Sequence, residues 1–277
     1  MKKRLLIRPG AIGDFILSLP ALEALAAHSG ETDIWCAEQN VPLVRFANGV
    51  RSIGSSGLDR LGVTHADDVV ERLHGFDDIV SWYGENRPEF RGLVGALGLP
   101  FRFLRALPDG SCHAADFYGE QVRGLGVKPG RFPRIPCPDV PRTFAAIHPF
   151  ASSKAKRTPM EVFQAAAERL GKEMPVYWLR GPEEELDRAA FIPDLYDLAC
   201  WLRGARVFVG NDSGISHLAA AVGTPVMAYF RASDPRVWAP RGCSIDIAVP
   251  QPAVCNFASR DADLNRPENR DGIHLPL

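Results

Sequence analysis

An apolar run ends at Asn211-Asp212-Ser213-Gly214, and a small-residue helical pattern follows with His217 one turn on. An acid, a hydroxyl and a glycine at a strand-to-helix joint stand where unpaired helix N–H groups and the positive end of the helix dipole gather. Such a joint can hold a phosphate without a metal ion. Gly214 lets a ligand approach the backbone, Ser213 can donate to an oxygen, and His217 shares their side of the helix. The plainer alternative is that Asp212 or Ser213 caps the helix and His217 is a satisfied core histidine. The short motif by itself leaves both readings open.

A second stretch, HPFASSKAKRTP (148–159), places Ser152, Ser153, Lys154, Lys156 and Arg157 in one loop between a strand and a helix. A solvated basic loop is the bland reading. Two anion-attracting elements at the same sheet edge instead suit a diphosphate. A third, Arg8-Pro9-Gly10-Ala11-Ile12-Gly13-Asp14, opens the chain. Gly10 and Gly13 permit a tight turn, and Asp14 falls in the first helical turn. There it either complements the dipole or, facing a cleft, takes a proton from a bound hydroxyl. Glu183-Glu184-Glu185 follows another strand. At least two of these acids read as an ordinary first helical turn, while one could bind ribose hydroxyls.

Alternating strands and helices must position these loops. Leu5–Arg8, Asp33–Cys36, Asp78–Trp82 and Phe101–Leu104 read as strands, with helices over Ile12–His28, Ala66–Leu73, Pro88–Leu97 and Ala114–Leu125. Pro20 should kink the first helix. Residues 126–143 hold five prolines and little periodicity, and so read as a linker. Beyond it, Phe144–His148, Val176–Leu179, Val207–Val209, Val226–Phe230 and Ile245–Val249 read as strands. Thr158-Pro159-Met160-Glu161 has the form of a capping box for a helix over 159–170, and Asp194 can cap one over Leu195–Arg203. The pattern predicts an α/β fold of two Rossmann-like, doubly wound domains facing a cleft. Their expected extents are 1–140 and 141–255, with an extended tail over 256–277.

Bulk properties narrow the function. The 277 residues suffice for two domains, and the net charge of −1 gives no global field toward nucleic acid or an anionic membrane. Six scattered cysteines without a C-x-x-C pair read as reduced thiols of a cytoplasmic protein. No apolar stretch approaches the roughly 20 residues of a bilayer span.

Together these segments resemble glycosyltransferase family 9, the heptosyltransferases of lipopolysaccharide core assembly. The resemblance rests on RPGAIGDFILSLPAL (8–22), HPFASSKAKRTP (148–159), LRGPEEE (179–185) and FVGNDSGISHLAAAVGTPVMAYFRASDP (208–235), in that order. Residues 30–140 match only in general α/β character. The family usually has Trp where Thr158 stands. The resemblance implies a GT-B arrangement and metal-independent, inverting transfer of a sugar from a nucleotide donor, ADP-heptose in the best-known branches. It implies that the N-terminal domain meets the acceptor through the Gly10 and Gly13 loop, with Asp14 as general base. Lys156 would contact the donor phosphates and Glu183 would lie near the ribose; Ser153 and Arg157, from the reading of the basic loop itself, are expected beside Lys156 at the donor. Asp212, Ser213, Gly214 and His217 match the donor-site segment. No cofactor beyond the nucleotide-sugar substrate is expected. The expected partners are that donor and a saccharide or glycolipid acceptor at the inner membrane face, where the protein would be peripheral. A non-catalytic sugar-nucleotide binder and a sugar-nucleotide epimerase are the alternatives. A dehydrogenase fits least, because neither half has G-x-G-x-x-G after a strand.

Overall fold

The structure is a computed structural model that describes residues 2–63 and 66–249. In the first half the order is β1 (Lys3–Arg8), α1 (Ile12–Ala27), β2 (Glu31–Cys36), β3 (Gly49–Ser52), α2 (Asp67–His74), β4 (Asp78–Ser81), α3 (Pro88–Ala96), β5 (Phe101–Phe103) and α4 (Ala114–Arg123). The second half runs β6 (Phe144–His148), α5 (Met160–Leu170), β7 (Val176–Trp178), α6 (Leu195–Arg203), β8 (Ala205–Asn211), α7 (Gly214–Ala221), β9 (Val226–Tyr229), α8 (Pro235–Trp238) and β10 (Ile245–Ala248). Each half builds a parallel five-stranded sheet, in the orders β3-β2-β1-β4-β5 and β10-β9-β8-β6-β7. The expected two-sheet α/β fold is therefore present. The proline-rich segment between the sheets carries neither helix nor strand.

Period-2 alternation assigns the faces. Leu5 and Ile7 on β1 and Ile79 on β4 point outward onto α2 and α3, where Val69, Leu73, Phe90 and Val94 cover them. Leu6, Ile34 and Val80 point the other way, into a core shared with the second sheet through Ala146, Phe208 and Ala228. Helix α1 lies inside this shared core. Phe15, Ile16, Leu17, Leu19, Leu22 and Leu25 are all buried, so the helix is apolar on several faces. It runs continuously through Pro20. A third cluster, centred on Phe163 of α5 and Val209 of β8, covers the far face of the second sheet.

Two sequence expectations change. Strand β3 was not anticipated, because Gly-Val-Arg-Ser has no apolar alternation and owes its conformation to pairing with β2. The capping box at 158–161 does not form: Pro159 is the N-cap of α5 and no side chain caps it. Thr158 is instead buried, and its N–H donates to Asn211 Oδ1 at 3.0 Å. The Asp194 cap is present, accepting from the N–H groups of Tyr196 and Asp197 at 2.7 and 3.0 Å. The expectations for Cys255 and the 256–277 tail lie outside the described residues. No helix among the described residues is long and apolar enough to cross a membrane.

Candidate active site

Strand order reverses direction between β1 and β4 in the first sheet and between β6 and β8 in the second. Crevices outside the carboxyl ends of strands open at such points. The loops that leave β1, β6 and β8 carry the three motifs. Helices α1 and α7 bring them together by abutting at their N-termini: a Cβ on Gly214 would lie 2.7 Å from Ile12 Cβ and 3.4 Å from the Gly13 nitrogen. Only glycine at this contact lets the two helix starts approach so closely.

A cavity of about 690 Å³ opens beside this contact. Gly13 and Asp14 line it from the first half, and Ser152, Lys156, Asp212, Ser213, Gly214 and His217 from the second. Leu107, Ser233, Asp234 and Trp238 complete its wall. Asn211, fully buried, ties the two second-half loops together. Its amide donates to the Pro149 carbonyl at 2.7 Å while its oxygen accepts from Thr158 N–H. Asp212 does not cap α7, and Ser213, the N-cap residue, makes no side-chain cap bond. Lys156 Nζ lies 2.6 Å from Asp212 Oδ2, and Ser233 Oγ donates to the same oxygen. Among the described residues no side chain therefore caps the start of α7; the Ser216 N–H bonds to Ser213 O at 3.1 Å, and the N–H groups ahead of it remain available to an anion.

Burial holds the Asp14 carboxyl above the usual carboxylate range; Arg8 and Lys156 pull against that effect, and Asp212 adds to it. A carboxylate raised in this way is a better proton acceptor for a hydroxyl. Burial also pushes His217 down to about 4, so its ring is neutral near pH 7. Its Nδ1 is buried without a hydrogen-bond partner among the described residues.

The sequence expectations divide here. Asp14, Gly13, Lys156, Asp212, Ser213, Gly214 and His217 converge on the cavity. Ser153 does not line it and is exposed, whereas Ser152 does. Arg157 turns its Nε to the Ala151 carbonyl at 3.1 Å and packs over Phe150 rather than lining the cavity. Gly10 sits behind the wall, at φ +133°, a conformation that favours glycine. Glu183 is exposed and lines a separate hollow with Arg180 and Arg188.

Glu184 is the acid that turns inward. It accepts from Gly181 N–H at 2.5 Å and lies 3.0 Å from His148 Nε2. Burial opposes its ionisation, but the bonds from His148 and Gly181 win and hold its carboxyl below the usual range. His148 lines a second, largely apolar cavity of about 430 Å³ with Leu179, Phe191, Ile192, Leu195 and Ile215, and Ile12 lines both cavities.

Sequence reasoning gave no role to Arg8 or Asn211. Arg8 is 2 % exposed, and its fork donates to Pro9 O, Asp14 O and Ser18 Oγ. An arginine at the last position of a buried strand was the available signal. Among the described residues no group of three or more His, Cys, Asp or Glu side chains converges to hold a metal ion.

The family described as Glycosyltransferase family 9 (heptosyltransferase) matches residues 115–258. Among solved structures, a family 9 glycosyl transferase from Veillonella parvula superposes with a TM-score of 0.69 at 17% identity, covering 89% of this chain and 85% of its own. The E. coli heptosyltransferase WaaC, solved with ADP, gives 0.66 at 18% identity, covering 89% and 93%. E. coli ADP-heptose lipopolysaccharide heptosyltransferase II gives 0.65 at 17%, covering 89% and 90%. At these identities the superpositions speak for the fold. A search of curated protein sequences finds no match. The family match spans more than half of the chain, which therefore belongs to glycosyltransferase family 9.

Proposed function

We propose that this glycosyltransferase moves a heptose from ADP-heptose to a saccharide acceptor such as lipopolysaccharide core, with inversion and without a metal ion. The observation that carries the reading is the single cavity lined by Asp14 from one half and by Lys156, Asp212 and the α7 N-terminus from the other. WaaC, which shares the fold, was solved with ADP and with ADP-2-deoxy-2-fluoro heptose.

In this reading the adenosine lies in the apolar cavity beside Ile215 and Leu179, with Glu184 rather than Glu183 nearest the ribose. The diphosphate lies at the α7 N-terminus. Lys156 then exchanges its pairing with Asp212 for the phosphates, and the released carboxylate can accept from sugar hydroxyls. Asp14 takes the proton of an acceptor hydroxyl. The acceptor oxygen forms its bond to the anomeric carbon as the bond from that carbon to the phosphate oxygen breaks. The departing ADP carries away the electron pair. The positive charge of Lys156 and the backbone N–H groups at 213–214 would stabilise it, which is what a metal-free site requires. The cavity wall on the Leu107 side is left for the acceptor, whose membrane-borne forms would bring the protein to the inner membrane face.

The test is Asp14→Asn. Calorimetry with ADP should give wild-type affinity, while ADP release from ADP-heptose with a lipopolysaccharide-core acceptor should fall by about 10²–10⁴-fold, the usual share of a general base. Wild-type turnover by this variant would remove Asp14 from the chemistry.

A further inference from the structure

Arg8 is anomalous in the first half. Its guanidinium is almost wholly buried, yet among the described residues no carboxylate lies within ion-pair distance of it. Burying an arginine without an ion pair is costly unless its donors are satisfied by other groups. Here they are satisfied by the turn that carries Asp14. Nη1 donates to Pro9 O at 2.8 Å, Nη2 to Asp14 O at 3.1 Å and Nε to Ser18 Oγ at 3.2 Å. The Tyr118 ring of α4 lies 4.6 Å from Cζ and covers one face of the fork. Gly10 fits between the guanidinium and Asp14: a Cβ there would lie 3.4 Å from Arg8 Nη1 and 3.6 Å from Asp14 Cβ. Asn40, also buried, anchors the same turn by donating to Gly10 O at 3.1 Å.

We infer that Arg8 is a positioning residue for Asp14: its fork fixes the Pro9–Asp14 turn, and its buried positive charge stands behind the Asp14 carboxylate. This rests on the reading of Asp14 as the base. A carboxylate in a partly dry site tends to hold its proton, and a base must release it before the reaction begins. The charged groups that act on Asp14 are Arg8 from β1, Lys156 from the loop after β6 and Asp212 from the end of β8. Lys156 and Asp212 bind each other. In the proposed mechanism Lys156 also turns to the donor phosphates. Arg8 has no such second duty, so its charge acts on Asp14 whether or not donor is bound.

The experiment follows the Asp14 carboxyl directly, by carbon NMR titration of the full chain labelled at its aspartate carboxyls. The resonance is identified by its loss in Asp14→Asn. In Arg8→Met the midpoint should move to higher pH, while Arg8→Lys, which keeps the charge but not the fork, should stay near wild type with a lowered kcat. ADP affinity by calorimetry should be unchanged in both. A folded Arg8→Met with an unmoved midpoint overturns the inference. If Arg8→Met does not fold, Arg8→Lys decides: a wild-type kcat in that variant overturns the positioning role. Wild-type turnover by Asp14→Asn, by contrast, would overturn the base assignment and with it any catalytic bearing of Arg8.

Discussion

Gly13 and His217, from opposite halves of the chain, are in contact: a Cβ built on Gly13 would lie 2.8 Å from His217 Cδ2 and 3.2 Å from its Nε2. The ring is 4 % exposed and belongs to a helix packed in the shared core, so it has little room to move. The two halves thus meet through a glycine backbone and an imidazole at the rim of the cavity. Gly13→Ala should cost about 1–3 kcal/mol of stability, as overpacking of a dense interior does. Denaturant unfolding of wild type and variant measures it. A variant as stable as wild type would show that the contact can relax.

Lys156 pairs with Asp212 in the free protein and is proposed to turn to the diphosphate in the complex. Hydrogen bonds to charged groups contribute about 1.5–3 kcal/mol. Lys156→Ala should therefore weaken ADP binding by about ten- to a hundredfold, read by calorimetry. Equal affinity would place the phosphates elsewhere.

His217 makes stability depend on pH. Burial holds its folded-state value at about 4, below the ordinary 6.5. Between those values the unfolded chain binds more protons than the native state, so stability is full above about 6.5 and declines as pH falls toward 4. Burial lowers His113 as well, and its contribution has the same sign. His217→Gln should flatten this decline by up to about 1.4 kcal/mol per pH unit. Chemical denaturation at a series of pH values across this window gives the slope. Parallel slopes for the two proteins would mean that His217 is not buried as a neutral ring.

Thr158 looks like a helix cap in sequence but not in the structure, where its Oγ1 is buried without a hydrogen-bond partner among the described residues. Losing a true cap would cost about 0.5–2 kcal/mol. Thr158→Val, which removes a buried unsatisfied oxygen at similar shape, should instead be neutral or stabilising. Thermal unfolding tells the two apart. Asp194→Ala, which removes an observed cap, is the positive control.

The local sequence determined the alternation of strands and helices and the loops that would carry chemistry. Apolar runs such as Leu5–Ile7 and Val207–Val209, short and bounded by turn residues, read as buried strands, and the stripe along Ile12–Leu25 reads as a helix against a core. A site at a helix N-terminus after a strand is legible for the same reason: the free N–H groups are fixed by the helix itself. Side-chain direction is not local. Ser152 rather than Ser153 lines the cavity, and Glu184 rather than Glu183 turns inward, because a one-residue step in a loop turns a side chain to the opposite side. The sequence holds both serines and all three glutamates without ranking them. Arg8 could not be assigned either, since its meaning depends on Tyr118, Ser18 and Gly10 closing around it. The sequence named the groups that could hold a diphosphate and take a proton. Only the packing of α1 against α7 decided that they share one cavity, because that contact joins segments two hundred residues apart along the chain.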